Sequence, residues 1–151
     1  MKTYSLYLST LDNGSVLKTQ NDNAIVSYNI NFDSLFQNKS GVSNIRVFFM
    51  SDDQSFTDGT HTGSLRATFS STYQTLGNFG VNICPLDIQT KHGASTHKLY
   101  GDTVYSNGLT INIPQGNNVL TITLVNASNA IMTPPVGFHY QLWLYFDCYD
   151  E

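Results

Sequence analysis

The feature that most constrains this chain is an alternation of apolar and polar residues with a period of two, repeated almost from end to end. In Ala24-Ile25-Val26-Ser27-Tyr28-Asn29-Ile30-Asn31-Phe32, one face collects Ala24, Val26, Tyr28, Ile30 and Phe32 while the other is mostly polar. That pattern describes a half-buried strand and fits no helix. Ile45, Val47 and Phe49 align in the same way over 45–50, and 65–70 repeats it. A shorter segment, 81–84, runs into Pro85, which cannot donate to a ladder, and is expected to stop there. Further strands are expected at 99–105, 109–113, 119–125 and 140–148, with tight turns at Ser106-Asn107-Gly108 and at 114–117. Only 33–37 reads as helical, a single turn with Asp33 as its N-cap.

Composition agrees with an all-β fold. Charged residues make up 12% of the chain, about half the usual share. Ser, Thr and Asn, which favour strands and turns over helix interiors, take their place. The 151 residues suit one domain spanning 1–151, with 1–20 as an N-terminal arm or an extra strand. Eight short strands in that length fit a single jelly-roll sandwich of two antiparallel sheets. Alternation alone leaves an immunoglobulin-like sandwich open. In the jelly-roll wiring, 24–32 pairs with 140–148, 45–50 with 119–125, 65–70 with 109–113, and 81–84 with 99–105. Leu142, Leu144 and Phe146 are then expected in the core with Val26, Tyr28 and Ile30.

Several function classes are disfavoured. The net charge is −4 and the 7 basic residues are scattered, so no cationic stripe offers a nucleic-acid footprint. No apolar run approaches the roughly 20 residues that span a bilayer, and the first residues are not expected to form a signal peptide. His61, His92, His97 and His139 show no metal-ligand spacing, and Glu occurs only as Glu151. They read as solvated loop histidines. The stretch 52–59 lacks the register and bidentate Glu of a calcium hand and reads as an acidic turn within a long polar loop, 51–63. Cys84 and Cys148 could make one bridge but read as free, partly buried thiols, and Cys84 has no basic partner nearby in sequence. No catalytic residue, cofactor or metal is expected, and the chain is not read as an enzyme.

Aromatic residues carry the remaining information. Tyr73, Tyr100, Tyr105, Trp143 and Tyr149 are candidates for an exposed face that binds sugar or meets another subunit. The last strand has two apolar faces, with Trp143 and Tyr145 on the nominally outer one. Tyr4, Leu6 and Leu8 form a second apolar row near the start. These five residues form the candidate assembly interface. Either the N-terminal segment covers Trp143 and Tyr145 within one subunit, or a neighbouring subunit does.

The blocks Tyr4-Ser5-Leu6-Tyr7-Leu8-Ser9-Thr10, Tyr28-Asn29-Ile30-Asn31-Phe32-Asp33-Ser34-Leu35-Phe36 and Tyr140-Gln141-Leu142-Trp143-Leu144-Tyr145-Phe146-Asp147 resemble those of single-jelly-roll penton and minor capsid proteins. Those proteins belong to large icosahedral double-stranded DNA viruses of algae and protists and to virophages. The resemblance implies a structural virion protein, made in the host cytoplasm and built into the capsid. It implies a homopentamer at a vertex, or contact with the major capsid protein and other minor capsid proteins. The family brings no catalytic residues. The alternative is a carbohydrate-binding jelly-roll module or viral attachment head.

Overall fold

The computed structural model describes residues 2–11, 16–20, 24–31, 39–57, 60–71, 79–89, 95–106 and 117–150. Among them are nine strands and no helix: β1 (Lys2–Ser9), β2 (Val16–Gln20), β3 (Ile25–Asn31), β4 (Lys39–Gln54), β5 (Gly63–Ser71), β6 (Phe79–Gln89), β7 (His97–Tyr105), β8 (Asn117–Asn126) and β9 (Tyr140–Asp150). All pairings are antiparallel, and the strands form one curled sheet in the order β1-β9-β4-β7-β6-β5-β8-β3-β2. The expected helical turn at 33–37 and the strand at 109–113 lie outside the described residues.

One core serves the whole sheet. Val26, Tyr28 and Ile30 of β3 are buried in the same cluster as Leu142, Leu144 and Phe146 of β9, as the alternation predicts. Their strands are not ladder neighbours, however. The Tyr28 hydroxyl instead reaches across the core and donates to the Tyr140 oxygen at 3.3 Å. Sharing a core face is therefore correct for these two strands, while pairing them is not.

The expected partners are shifted by one strand. The last strand pairs with β1, which begins at Lys2, and β3 pairs with β8. β4 takes β7 and β9 on its two sides, not 119–125. β5 has both edges filled, by β6 and β8. The reason is physical. A period of two says which face a side chain occupies but not which strand lies alongside, so regular strands are interchangeable on that criterion. Counting 24–32 as the first strand moved each partner by one.

β6 is where the sheet curls. Its first part pairs with β5 as far as Leu86, and Asp87, Ile88 and Gln89 pair with β7. The expected contact between 81–84 and 99–105 thus joins the right strands through later residues of β6. The strand also continues through Pro85. At that residue the β7 ladder has not begun, so a position without an N–H costs no bond on that side. Gly101 of β7 faces this bend. A methyl group there would stand 2.7 Å from Cys84 Sγ and 2.8 Å from the Pro85 carbonyl oxygen, so the two strands approach this closely only over a glycine.

The polar loop expected at 51–63 is shorter, because β4 runs on to Gln54 past a register shift between Met50 and Asp53. The acidic turn is therefore partly strand. His61 is not solvated either. It is buried against Phe56, accepts from the Thr57 amide at Nδ1 (2.7 Å), and meets the Thr133 carbonyl through Nε2 at 3.1 Å. It pins the loop after β4 to the segment before β9.

Candidate functional site

The outer face of β1, β9, β4 and β7 carries a row of rings. Buried Ile45, Val47 and Phe49 leave Phe48 pointing outward, and buried Leu142 and Leu144 do the same for Trp143. In the ladders, Tyr7 stands opposite Trp143, and Trp143 opposite Phe48. Tyr7 and Trp143 have centroids 5.3 Å apart, Trp143 and Phe48 5.2 Å, and Phe48 and Tyr100 5.8 Å. The interplanar angles of 50°, 64° and 85° run from tilted to edge-on, the arrangement that the ring quadrupole favours. Tyr7, at the end of the row, is 50% exposed.

A polar fringe follows one register step away. Arg46 lies over the Tyr145 ring at 5.3 Å and approaches Asp147 Oδ1 at 3.5 Å. Thr3 donates to the same oxygen at 2.7 Å. On the far side, the Tyr100 hydroxyl donates to Asp102 at 3.4 Å. Burial and the nearby Asp102 carboxylate raise the Tyr100 pKa above its ordinary value. The Arg46 side chain is 48% exposed, so its pairing with Asp147 is partly screened and adds little to stability.

The five candidate interface residues therefore divide. Trp143 and Tyr145 occupy the outer face, as expected. Tyr4, Leu6 and Leu8 do not form a separate surface row: Leu8 is buried in the core, and Tyr4 and Leu6 pack against it. β1 joins β9 edge to edge, so these three share the inner face with Leu142, Leu144 and Phe146. The N-terminal strand does not cover Trp143 within its own chain, because it extends the sheet beside β9 instead of folding over that ring. Phe48 and Tyr7 also belong to the face, and the odd–even pattern around Val47 and Leu6 marks both. Tyr105 packs against the core. Tyr73 and the Tyr149 side chain lie outside the described residues.

A second feature is a pocket of about 190 Å³ lined by Leu11, Met50, Ser51, Asp52, Lys98, His139, Tyr140 and Gln141. Its polar groups chiefly tie strands together. Asp52 accepts from the His139 backbone amide at 3.2 Å and from Gln54 at 3.1 Å. Thr10 meets His139 Nδ1 at 2.9 Å and accepts from the Tyr140 amide. Asp52 thus holds the backbone of His139, while Thr10 meets its ring. The Lys98 ammonium lies 4.0 Å from the Met50 sulfur.

Cys84 lines a shallower cleft with Pro85, Thr103 and Tyr105. Burial, with a smaller effect from Asp102, pushes its thiol up to about 12, which keeps it protonated and poorly nucleophilic at neutral pH. Among the described residues, no three of His, Cys, Asp or Glu gather as a metal site. No helix of the described residues is long and apolar enough to cross a membrane. No family model, no curated protein and no solved structure matches the chain.

Proposed function

We propose that this chain is a structural virion protein, either a pentameric vertex subunit or a minor capsid protein lying against the major capsid lattice. The observation that carries the reading is the aromatic row Tyr7–Trp143–Phe48–Tyr100. Its rings project from four adjacent strands on the face turned away from the core, and aromatic anchors on rigid elements are what subunit interfaces concentrate.

The strand order supports a jelly roll as the underlying fold. With β2 taken as an added edge strand, the remaining eight nest as β1–β9, β3–β8, β4–β7 and β5–β6, working inward from both ends of the chain. On this reading β1-β9-β4-β7 and β2-β3-β8-β5-β6 are the two sheets of a sandwich, joined at the bend in β6.

The reading predicts that the protein copurifies with virions at a fixed ratio to the major capsid protein, measured by quantitative mass spectrometry. Native mass spectrometry of the purified protein distinguishes a five-fold ring from smaller forms. Absence from washed particles would end the virion reading.

The pocket at Asp52, Lys98 and His139 favours a second reading, a glycan-binding module. A carboxylate, an ammonium and an amide beside Leu11 and Met50 suit the hydroxyls and C–H face of one sugar ring. A glycan array with wild type and Lys98→Ala tests it: signal lost in the variant supports sugar binding, and no signal from wild type removes it.

A further inference from the structure

We propose that β1 is an association edge, and that it pairs antiparallel with β1 of a second copy of this chain. Among the described residues β1 has a strand on one side only. Its ladder to β9 runs from Lys2 to Ser9 without a register shift. From Thr3 to Ser9 there is no charge, proline or glycine. Exposed edges are normally protected by such residues or by bulges, because their unpaired N–H and C=O groups template another strand.

The opposite edge of the same sheet has that protection. β2 is five residues long, contains Lys18, and breaks register between Val16 and Lys18. One edge is blunted and the other left open. The side chains of β1 point the same way. In the inner row Leu6–Leu144–Val47, Leu144 and Val47 are 1% and 2% exposed, whereas Leu6 at the end is only partly buried. One more strand beyond β1 would finish covering it. On the outer face, the same strand would also lie beside half-exposed Tyr7.

The occupant follows from self-complementarity. With Leu6 on a two-fold axis, Leu6 meets its own copy, Tyr4 meets Leu8, Ser5 meets Tyr7, and Thr3 meets Ser9. Apolar residues face apolar ones on the inner side, and no like charges are opposed between residues 3 and 9. Such a contact is isologous and joins copies in pairs. A closed ring of five contains no two-fold axis, so within the virion reading this pairing favours the minor capsid form. The inference itself does not depend on that reading.

Sedimentation velocity of the full chain over a wide concentration range tests the pairing. Wild type should dimerise. Thr3→Lys with Ser5→Lys, at exposed positions, should weaken the dimer about tenfold or more by placing lysines along the shared edge. Leu6→Cys should give a disulfide-linked dimer on mild oxidation, because a residue on the axis faces itself, whereas Thr3→Cys should not. Circular dichroism checks that each variant is folded. If the double lysine variant is unfolded, the cysteine pair decides. A wild type that stays monomeric, a folded lysine variant that dimerises as before, or cross-linking at Thr3 and not at Leu6 would each overturn the proposal. The first of these would leave the edge to a different chain.

Discussion

The two faces of β9 use similar residues for opposite purposes. Tyr140, Leu142, Leu144, Phe146 and Cys148 point inward, and none is more than 2% exposed. Trp143 and Tyr145, interleaved with them, point outward and keep partial contact with solvent. The inner residues are held by a closely packed interior that reaches β3 on the far side of the core. Among the described residues, the outer ones are held by cross-strand neighbours: Tyr7 and Phe48 beside Trp143, Arg46 beside Tyr145. Hydrophobic character is thus a poor guide to a residue's task. What separates the faces is whether a second layer of side chains covers them.

Truncation should expose that difference most sharply on the inside. Phe146 is fully buried, so Phe146→Ala removes its transfer free energy and leaves a cavity, costing about 3–5 kcal/mol in urea unfolding. Leu144→Ala, one pair closer to the middle of the ladder, should cost roughly 2–5 kcal/mol. Losses near zero at both sites would mean that the inner face is not the core.

Alkaline pH should act on the inner face. Cys84 is held protonated up to about 12, against an ordinary value of 9.0. In that window the unfolded chain releases the thiol proton and the folded chain does not. The folded state then binds more protons, and stability falls as pH rises. Fully buried Tyr140 shifts in the same direction, through desolvation first and Tyr28 second. Urea midpoints should therefore decline above pH 9, with a shallower slope in Cys84→Ala than in wild type. Equal slopes in the two proteins would remove Cys84 as a cause.

Trp143→Ala should have the smallest effect on folding. Two ring contacts are lost, at about 0.5–1.5 kcal/mol each, and strand content by circular dichroism should survive. On the proposed virion reading, its effect should appear instead in association with partner chains. A variant that unfolds would make this face structural, and the contrast with Phe146 would collapse.

Much of this was readable from residue order, and the errors share one origin. The alternation in 24–32 and 140–148 marks strands close to their observed bounds, that in 45–50 marks only the middle of the longer β4, and all three assign inner and outer residues correctly. The same rule applied to Leu6 and Val47 also marks Tyr7 and Phe48. Other features were not legible locally. His61 looks like a loop histidine until Phe56 and the Thr133 carbonyl, distant in sequence, close around it. Pro85 looks like a strand end until β6 is seen to change partners just beyond it.

Residue order by itself determined an all-β chain and the face on which each strand residue lies, because alternation is local and the pleat has a period of two. The tertiary structure alone decided which strand lies beside which, and therefore that Tyr4, Leu6 and Leu8 belong to the inner face of an edge strand. It also brought Tyr7, Trp143, Phe48 and Tyr100 into one row. Pairing depends on which edges remain open once the whole sheet has curled around its core, and no single segment carries that information.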